Sequence, residues 1–198
     1  TDSSGNVYIA GYSYSVVADS VLLLAKYNPS GTLQWQRALY NSYGTSTAQA
    51  VAVDSNNDVY ITGEEFISGS VRRQMIVAKY NSSGTIQWQR MLGASSDEFS
   101  YSIAVDSLDD IYITGKTPNI GVGGQEVITA KLANDGSLLG TYVLDGVNIT
   151  YAVSTLTTTT PTLTAATSSL TSSTSSRTTA ASSRTDAVSS LTSYLVDL

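Results

Sequence analysis

The chain has 198 residues, 41% of them apolar, with 16 acidic against 10 basic residues and a net charge of -6. No Lys/Arg-rich run is present, so the phosphate-neutralising charge that nucleic-acid binding draws on has no source, and nucleic acid is not an expected partner. Cys and His are both absent, which excludes disulfides, thiolate nucleophiles, imidazole acid–base chemistry and most transition-metal ligand sets.

Near the start, the segment DSSGNVYIAG runs from Asp2, and the segment LAKYNPSGTLQWQR follows from Leu24. Both then recur. DSNNDVYITG begins at Asp54 and DSLDDIYITG at Asp106, a period of 52 residues, while VAKYNSSGTIQWQR begins at Val77 and the more divergent TAKLANDGSLLGTY at Thr129. A repeat of this length describes modular units that bury their apolar faces on one another.

The middle copy is the fullest, with four β-rich runs at Ala48 to Asp54, Val59 to Glu65, Arg73 to Tyr80 and Thr85 to Leu92. Val, Ile, Thr, Tyr and Trp fill the runs, while Asn, Ser, Asp and Gly fill the gaps, the chemistry of strand and tight turn. Each unit therefore reads as a four-stranded meander. VLLLAKY and MIVAKY are apolar at consecutive positions rather than alternating, so both faces of these sheets should be covered. The expected fold is all-β: a β-propeller of roughly 52-residue, four-stranded blades. The repeats occupy 1–156, with blades at about 1–46, 47–97 and 98–147 and an extra strand at 147–155 that would open another blade.

From Thr155 to Thr185, 21 of 31 residues are Ser or Thr, too few apolar side chains for a core of their own. Segment 157–198 reads either as a Ser/Thr-rich stalk or as a degenerate fourth blade, whose last residues would pair with the N-terminal strand. No stretch of about 18 apolar residues is present to span a bilayer as a helix.

The pattern AVAVDSxxxVYITG, a loop, then VAKYNxSGTIQWQR resembles the bacterial and archaeal seven-bladed β-propeller repeat of large exported proteins, over roughly Thr1 to Tyr151. The resemblance implies surface, adhesive or scaffold roles more than catalysis. With the low charge and the lack of Cys and His, it sets the expectation of an extracellular or cell-surface protein whose export signal lies outside this chain.

Within that frame the expected function is a non-enzymatic structural or adhesive module, with other protein subunits or surface glycans as partners and self-association open. A carbohydrate-binding module is the alternative, and an enzyme using Glu64, Glu65 or Asp97 the third class. Tyr40, Tyr43, Phe66, Arg72 and Arg73 fall in loops that differ between copies and are the candidates for partner contact. Asp54, Asp58, Asp106 and Asp110 recur in the turns. Asp in such turns caps backbone N–H groups, and a weak calcium site is the competing reading; no other cofactor is expected. Trp35 and Trp88 recur in the last strand as inter-blade packing, and Lys26, Lys79 and Lys131 as cross-strand ion pairs. Asn81 and Asn148 head Asn-x-Ser/Thr patterns, candidate glycosylation sites.

Overall fold

The computed structural model describes residues 1–14, 20–40, 44–66, 72–118, 124–144, 147–154, 156–159 and 193–197; these carry strands and turns and no helix. The middle repeat is an antiparallel meander of β4 (Ser46–Val53), β5 (Val59–Phe66), β6 (Arg73–Tyr80) and β7 (Ile86–Gly93). The first repeat contributes β1 (Val7–Ser13), β2 (Val21–Tyr27) and β3 (Leu33–Tyr40), and the third β8 (Phe99–Val105), β9 (Ile111–Thr117) and β10 (Glu126–Leu132). Equivalent strands pair in equivalent register: Val7 faces Tyr27, Val59 faces Tyr80 and Ile111 faces Leu132. Even the irregularities repeat, with one between Ala48 and Ala50 matched between Ser100 and Ser102, and one between Lys26 and Tyr27 matched between Lys79 and Tyr80.

The Asp-led turns explain the first half of each motif. In the middle copy, Asp54 Oδ1 accepts from the backbone N–H of Asn56 and of Asp58, while Oδ2 accepts the buried Tyr60 hydroxyl at 2.9 Å. Asp2 and Asp106 make the corresponding bonds to Asn6 and Tyr8, and to Asp110 and Tyr112. The turn places its fourth residue at positive φ, occupied by Gly5, Asn57 and Asp109, residue types that tolerate it. The Asn-led turns work the same way, since Asn28 and Asn81 cap Ser30 and Thr32, and Ser83 and Thr85, through Oδ1.

The three sheets stack face to face as propeller blades. One side of the middle blade, with Val59, Ile61, Ile76, Ala78 and Tyr80, packs on Tyr8, Leu22, Leu24 and Leu39 of the first. The opposite side, with Tyr60, Met75, Val77, Trp88 and Leu92, packs on Ile103, Ile111, Ile113, Ile128, Ala130 and Leu132 of the third. Hence seven of the eight residues of β5 are buried, whereas β9 in the third blade alternates buried and half-buried. Coverage on both faces, inferred from the continuous apolar runs, holds for the blade that has a neighbour on each side.

Both junctions use the same polar set. At the first, Trp35 Nε1 and Lys26 Nζ donate to the Ser82 carbonyl at 3.1 and 3.2 Å, Arg37 Nε to the Gly84 carbonyl at 2.5 Å, and Ser3 Oγ to Asn57 Oδ1 at 2.9 Å. At the second, Trp88 and Lys79 donate to the Asn134 carbonyl at 3.1 and 3.5 Å, Arg90 to Gly136 at 2.7 Å, and Ser55 to Asp109 at 2.7 Å. Each blade thus clamps the turn of the next, and the Trp and Lys expectations are met in this way. The lysines also pair with turn carboxylates, Lys26 with Asp2 at 3.3 Å, Lys79 with Asp58 at 3.0 Å and Lys131 with Asp110 at 3.0 Å.

Beyond the third repeat the structure departs from expectation. The strand at 147–155, taken as the opening of another blade, is β12 (Val147–Val153), and it pairs antiparallel with β7 on the outer edge of the middle blade. Before it, β11 (Gly140–Leu144) leaves its own blade and pairs with β12, giving a six-stranded sheet in the order β11-β12-β7-β6-β5-β4. The third copy has Gly140 where Trp35 and Trp88 stand relative to their turns, so its last strand lacks the side chain that would pin it in place. The pairing expected between the chain's last residues and the N-terminal strand is also corrected. There, β14 (Ser193–Asp197) runs parallel to β10 and takes the edge that β11 left open, while β13 (Thr157–Thr159) adds to the outer edge of β3. Strands of β-favouring residues add to unpaired sheet edges, and each of the three blades offers one. Most of the Ser/Thr-rich segment, 160–192, lies outside the described residues.

Candidate interaction site

The strands alternate direction, so one end of the stack carries the capped Asp and Asn turns and the other the loops that vary between copies. At the variable end, β6 begins with Arg73, β8 with Phe99, and β9 finishes with Lys116 and Thr117, at the boundary between the middle and third blades. The Arg73 backbone is fixed at both of its polar groups: its N–H donates to Asp97 Oδ1 at 2.8 Å, and its carbonyl accepts from Glu98 N at 3.0 Å. Arg72 Nη1 donates to the Ser95 carbonyl at 2.7 Å. With these anchors the Arg73 guanidinium lies over the Phe99 ring, 5.5 Å from its centroid, and Lys116 Nζ approaches the same ring to 4.7 Å. Arg73 is exposed, and Phe99 and Lys116 are half-buried. On a chain of net charge -6, this is a compact cationic and aromatic patch.

Immediately beneath it Glu98 is buried in an apolar crevice lined by Met75, Leu92, Thr117, Ile128 and Ile149. Burial pushes its carboxyl up to about 7, against the opposing pull of the Ala94 and Ser96 backbone N–H groups and the Thr117 hydroxyl. Oε1 lies 3.5 Å from the Thr117 hydroxyl, and Oε2 has no hydrogen-bond partner among the described residues.

Of the residues named from sequence, Arg72 and Arg73 belong to this patch. Phe66 ends β5 beside Gly44 on the far side of the middle blade, and its N–H donates to the Thr45 carbonyl. Tyr40 ends β3, where it pairs with Thr157 of β13; Tyr43 lies outside the described residues. The carboxylates considered for catalysis do not converge. Glu64 accepts from the Thr47 hydroxyl at 2.9 Å, Glu65 from the Ser154 hydroxyl at 2.7 Å, and Asp97 holds Arg73.

At the opposite end, Asp54, Asp58, Asp106 and Asp110 sit in the capped turns, engaged by backbone N–H groups, tyrosine hydroxyls and lysines. Burial would raise the carboxyl of Asp106, but bonds from Leu108, Asp110 and Tyr112 and the charge of Lys131 hold it below the ordinary carboxylate value. Among the described residues no three acidic side chains gather as a metal-binding group. Asn81 caps its turn through Oδ1, and Asn148 is exposed on β12.

Phe99 and Lys116 were not singled out from sequence, although the repeat marks them. At 52 residues earlier the same positions hold Thr47 and Glu64, so the patch lies where the third copy departs from the second, by a new ring and a reversed charge.

Residues 87–119 match the family model described as a beta-propeller repeat, a span that begins within β7, takes in all of β8 and β9 and includes Asp97, Phe99 and Lys116. The chain is also 27% identical over 110 residues, 48% of its length, to an uncharacterized WD repeat-containing protein of Acanthamoeba polyphaga mimivirus, and the match covers 8% of that relative. The repeat is therefore of the propeller type.

Proposed function

We propose that this chain is a non-enzymatic protein-interaction module, in which stacked blades form a rigid scaffold and the variable end docks an acidic segment of a partner protein. The observation that carries the reading is the pair of cations on one ring, Arg73 and Lys116 over Phe99, the first with its backbone anchored to Asp97 and Glu98 and the second with its ammonium donating to Gln125 Oε1 at 3.1 Å. Arg and aromatic groups on a pre-organised surface are the anchors that protein interfaces favour. The low charge, the lack of Cys and His and the Ser/Thr-rich C-terminal segment support an extracellular structural or adhesive setting for it.

Binding to an array of Asp/Glu-rich peptides tests the reading. Retention that weakens with salt and falls at least tenfold in Arg73→Glu and in Phe99→Ser, with the melting temperature preserved, is the expected result. Retention unaffected by both substitutions, or absent, refutes it. A second reading, a carbohydrate-binding module, is favoured by Tyr12 and Tyr14, which are 56% and 80% exposed at the variable end of the first blade, with ring centroids 6.0 Å apart. Glycan-array binding lost in Tyr14→Ala and retained in Arg73→Glu would select it.

A further inference from the structure

The two blade junctions are one interface used twice, and the ends of the stack carry its two halves, neither of them facing another blade among the described residues. The half that receives a neighbour consists, in the middle blade, of Val59, Ile61, Ile76 and Tyr80, and in the third blade of Ile111, Ile113, Ile128 and Leu132, all buried beneath the preceding blade. In the first blade the equivalent positions are Val7, Ile9, Leu23 and Tyr27. They keep the apolar character of an interior face, yet Val7 and Ile9 are 41% and 53% exposed. The adjoining turn confirms the vacancy. A Cβ added at Gly84 would meet the Trp35 ring and one at Gly136 the Trp88 ring, whereas at Gly31 it would meet nothing within 4 Å.

The half that docks is a Tyr–Lys–Asp cluster: Tyr8, Lys26 and Asp2 in the first blade, Tyr60, Lys79 and Asp54 in the second. The third blade keeps it on its outward side, where Lys131 lies 5.8 Å from the Tyr112 ring centroid, Tyr112 donates to Asp106, and Asp110 pairs with Lys131. It departs from the other two in having Thr129 where Leu24 and Val77 stand, and in lacking the Trp and Arg.

We infer that a second copy of this chain docks head to tail, the outward Tyr112–Lys131 face of its third blade covering the Val7–Ile9 face of the first blade. The occupant follows from the fit. The contact continues a junction already made twice within the chain, and the same chain offers both halves, the condition for a heterologous interface. Lys131 would then reach the Pro29 carbonyl, the counterpart of Ser82 and Asn134. Without the Trp and Arg clamps this contact is weaker than the internal junctions, so the association is reversible and concentration-dependent. The inference rests on the reading of the chain as an interaction module and names one partner.

Sedimentation velocity of the full chain over a concentration series is the test. A species of twice the 20.8 kDa chain mass, and then higher multiples, should grow with concentration, since a head-to-tail pair still carries one free half at each end. Ile9→Asp and Thr129→Asp should each raise the dissociation constant at least tenfold, both being surface positions whose circular dichroism and melting serve as controls for folding. An equimolar mixture of the two variants should recover the pair, because one intact junction remains between them. A monomer at every concentration up to about 100 µM, where micromolar affinity would leave most copies paired, overturns the inference. Pairing of Thr129→Asp as strong as that of the native chain also overturns it, since first blades would then be facing each other. If pairing fails while the Arg73–Phe99 patch still retains acidic peptide, only the self-association falls; loss of both removes the module reading as well.

Discussion

Three glycines at one repeat position provide an internal control on the blade junctions. Gly31, Gly84 and Gly136 each end an Asn- or Ala-led turn at positive φ, 80°, 79° and 67°. Replacing any of them by Ala costs about 1 kcal/mol for forcing a Cβ into the left-handed region. The surroundings differ. An added Cβ would lie 2.8 Å from Trp35 at Gly84 and 2.8 Å from Trp88 at Gly136, while the space at Gly31 is open. At the two covered sites the indole must move, breaking its bond to the Ser82 or Asn134 carbonyl and disturbing the neighbouring arginine, a strain of the overpacking kind worth roughly 1–3 kcal/mol more. Gly84→Ala and Gly136→Ala should therefore lose about 2–4 kcal/mol and Gly31→Ala about 1 kcal/mol. Urea denaturation followed by the fluorescence of Trp35 and Trp88, at a concentration where the chain is monomeric, separates the cases by their midpoints. Equal losses at all three positions would refute the reasoning, for the φ penalty alone would then explain them.

Other consequences follow from single groups. The Glu98 carboxyl titrates at about 7 in the folded chain against an ordinary 4.5, so its contribution to stability is fully present below pH 4.5 and is lost as pH rises to about 7. Across that window the native chain should lose on the order of 1–3 kcal/mol, and Glu98→Gln should flatten much of the slope, the rest coming from Glu65, which burial raises in the same sense; an unchanged slope in melting against pH would contradict this. Tyr60→Phe leaves the buried Asp54 without its hydroxyl donor and should cost about 1–2 kcal/mol in urea denaturation, more than Tyr112→Phe at the less buried third turn, and the reverse order would be inconsistent with the burial. Calcium or EDTA should leave the melting temperature unchanged, since N–H, hydroxyl and ammonium donors already engage the turn carboxylates; a rise with calcium would assign Asp54, Asp58, Asp106 and Asp110 a ligand role.

What was readable from the residues is what depends on local chemistry and period. The 52-residue spacing located the strands, the Asp and Asn turns announced their capping, and the unbroken apolar run of RQMIVAKY foretold a sheet covered on both faces, as Ile76 and Val77 on opposite sides of β6 show. The same run in the first blade, VLLLAKY, gave no warning that one of its sides would stay open. Whether a face is covered depends on which blade is its neighbour, and the residues of one blade do not encode that.

Strand destinations after the third copy depart from the sequence expectation for a related reason. VNITYAVST has the composition of an opening strand, but composition does not choose between an inner and an outer edge. That choice depends on Gly140 replacing the Trp that secures the last strand of the other copies, after which β11 and β12 take the edge of β7 and β14 the edge of β10. The cationic patch was half legible. Arg72 and Arg73 stood out as loop residues, but Phe99 and Lys116 come from a different blade and join them only because Asp97 and Glu98 tie the inter-blade loop to Arg73.

Sheets stacked as blades, with β5 of one against β8 of the next, are the premise of all of this. Thr62 Oγ1 and Ser100 Oγ meet across that junction at 2.6 Å, and both residues are fully buried. Because the chain has no Cys, a Thr62→Cys/Ser100→Cys double variant can form only one intramolecular disulfide. Mild oxidation followed by thiol titration and urea denaturation should show no free thiol in the monomer and a gain of up to about 4 kcal/mol from closing the loop between the two positions. Two titratable thiols, or cross-links only between chains, would mean that the second and third repeats do not face each other as described.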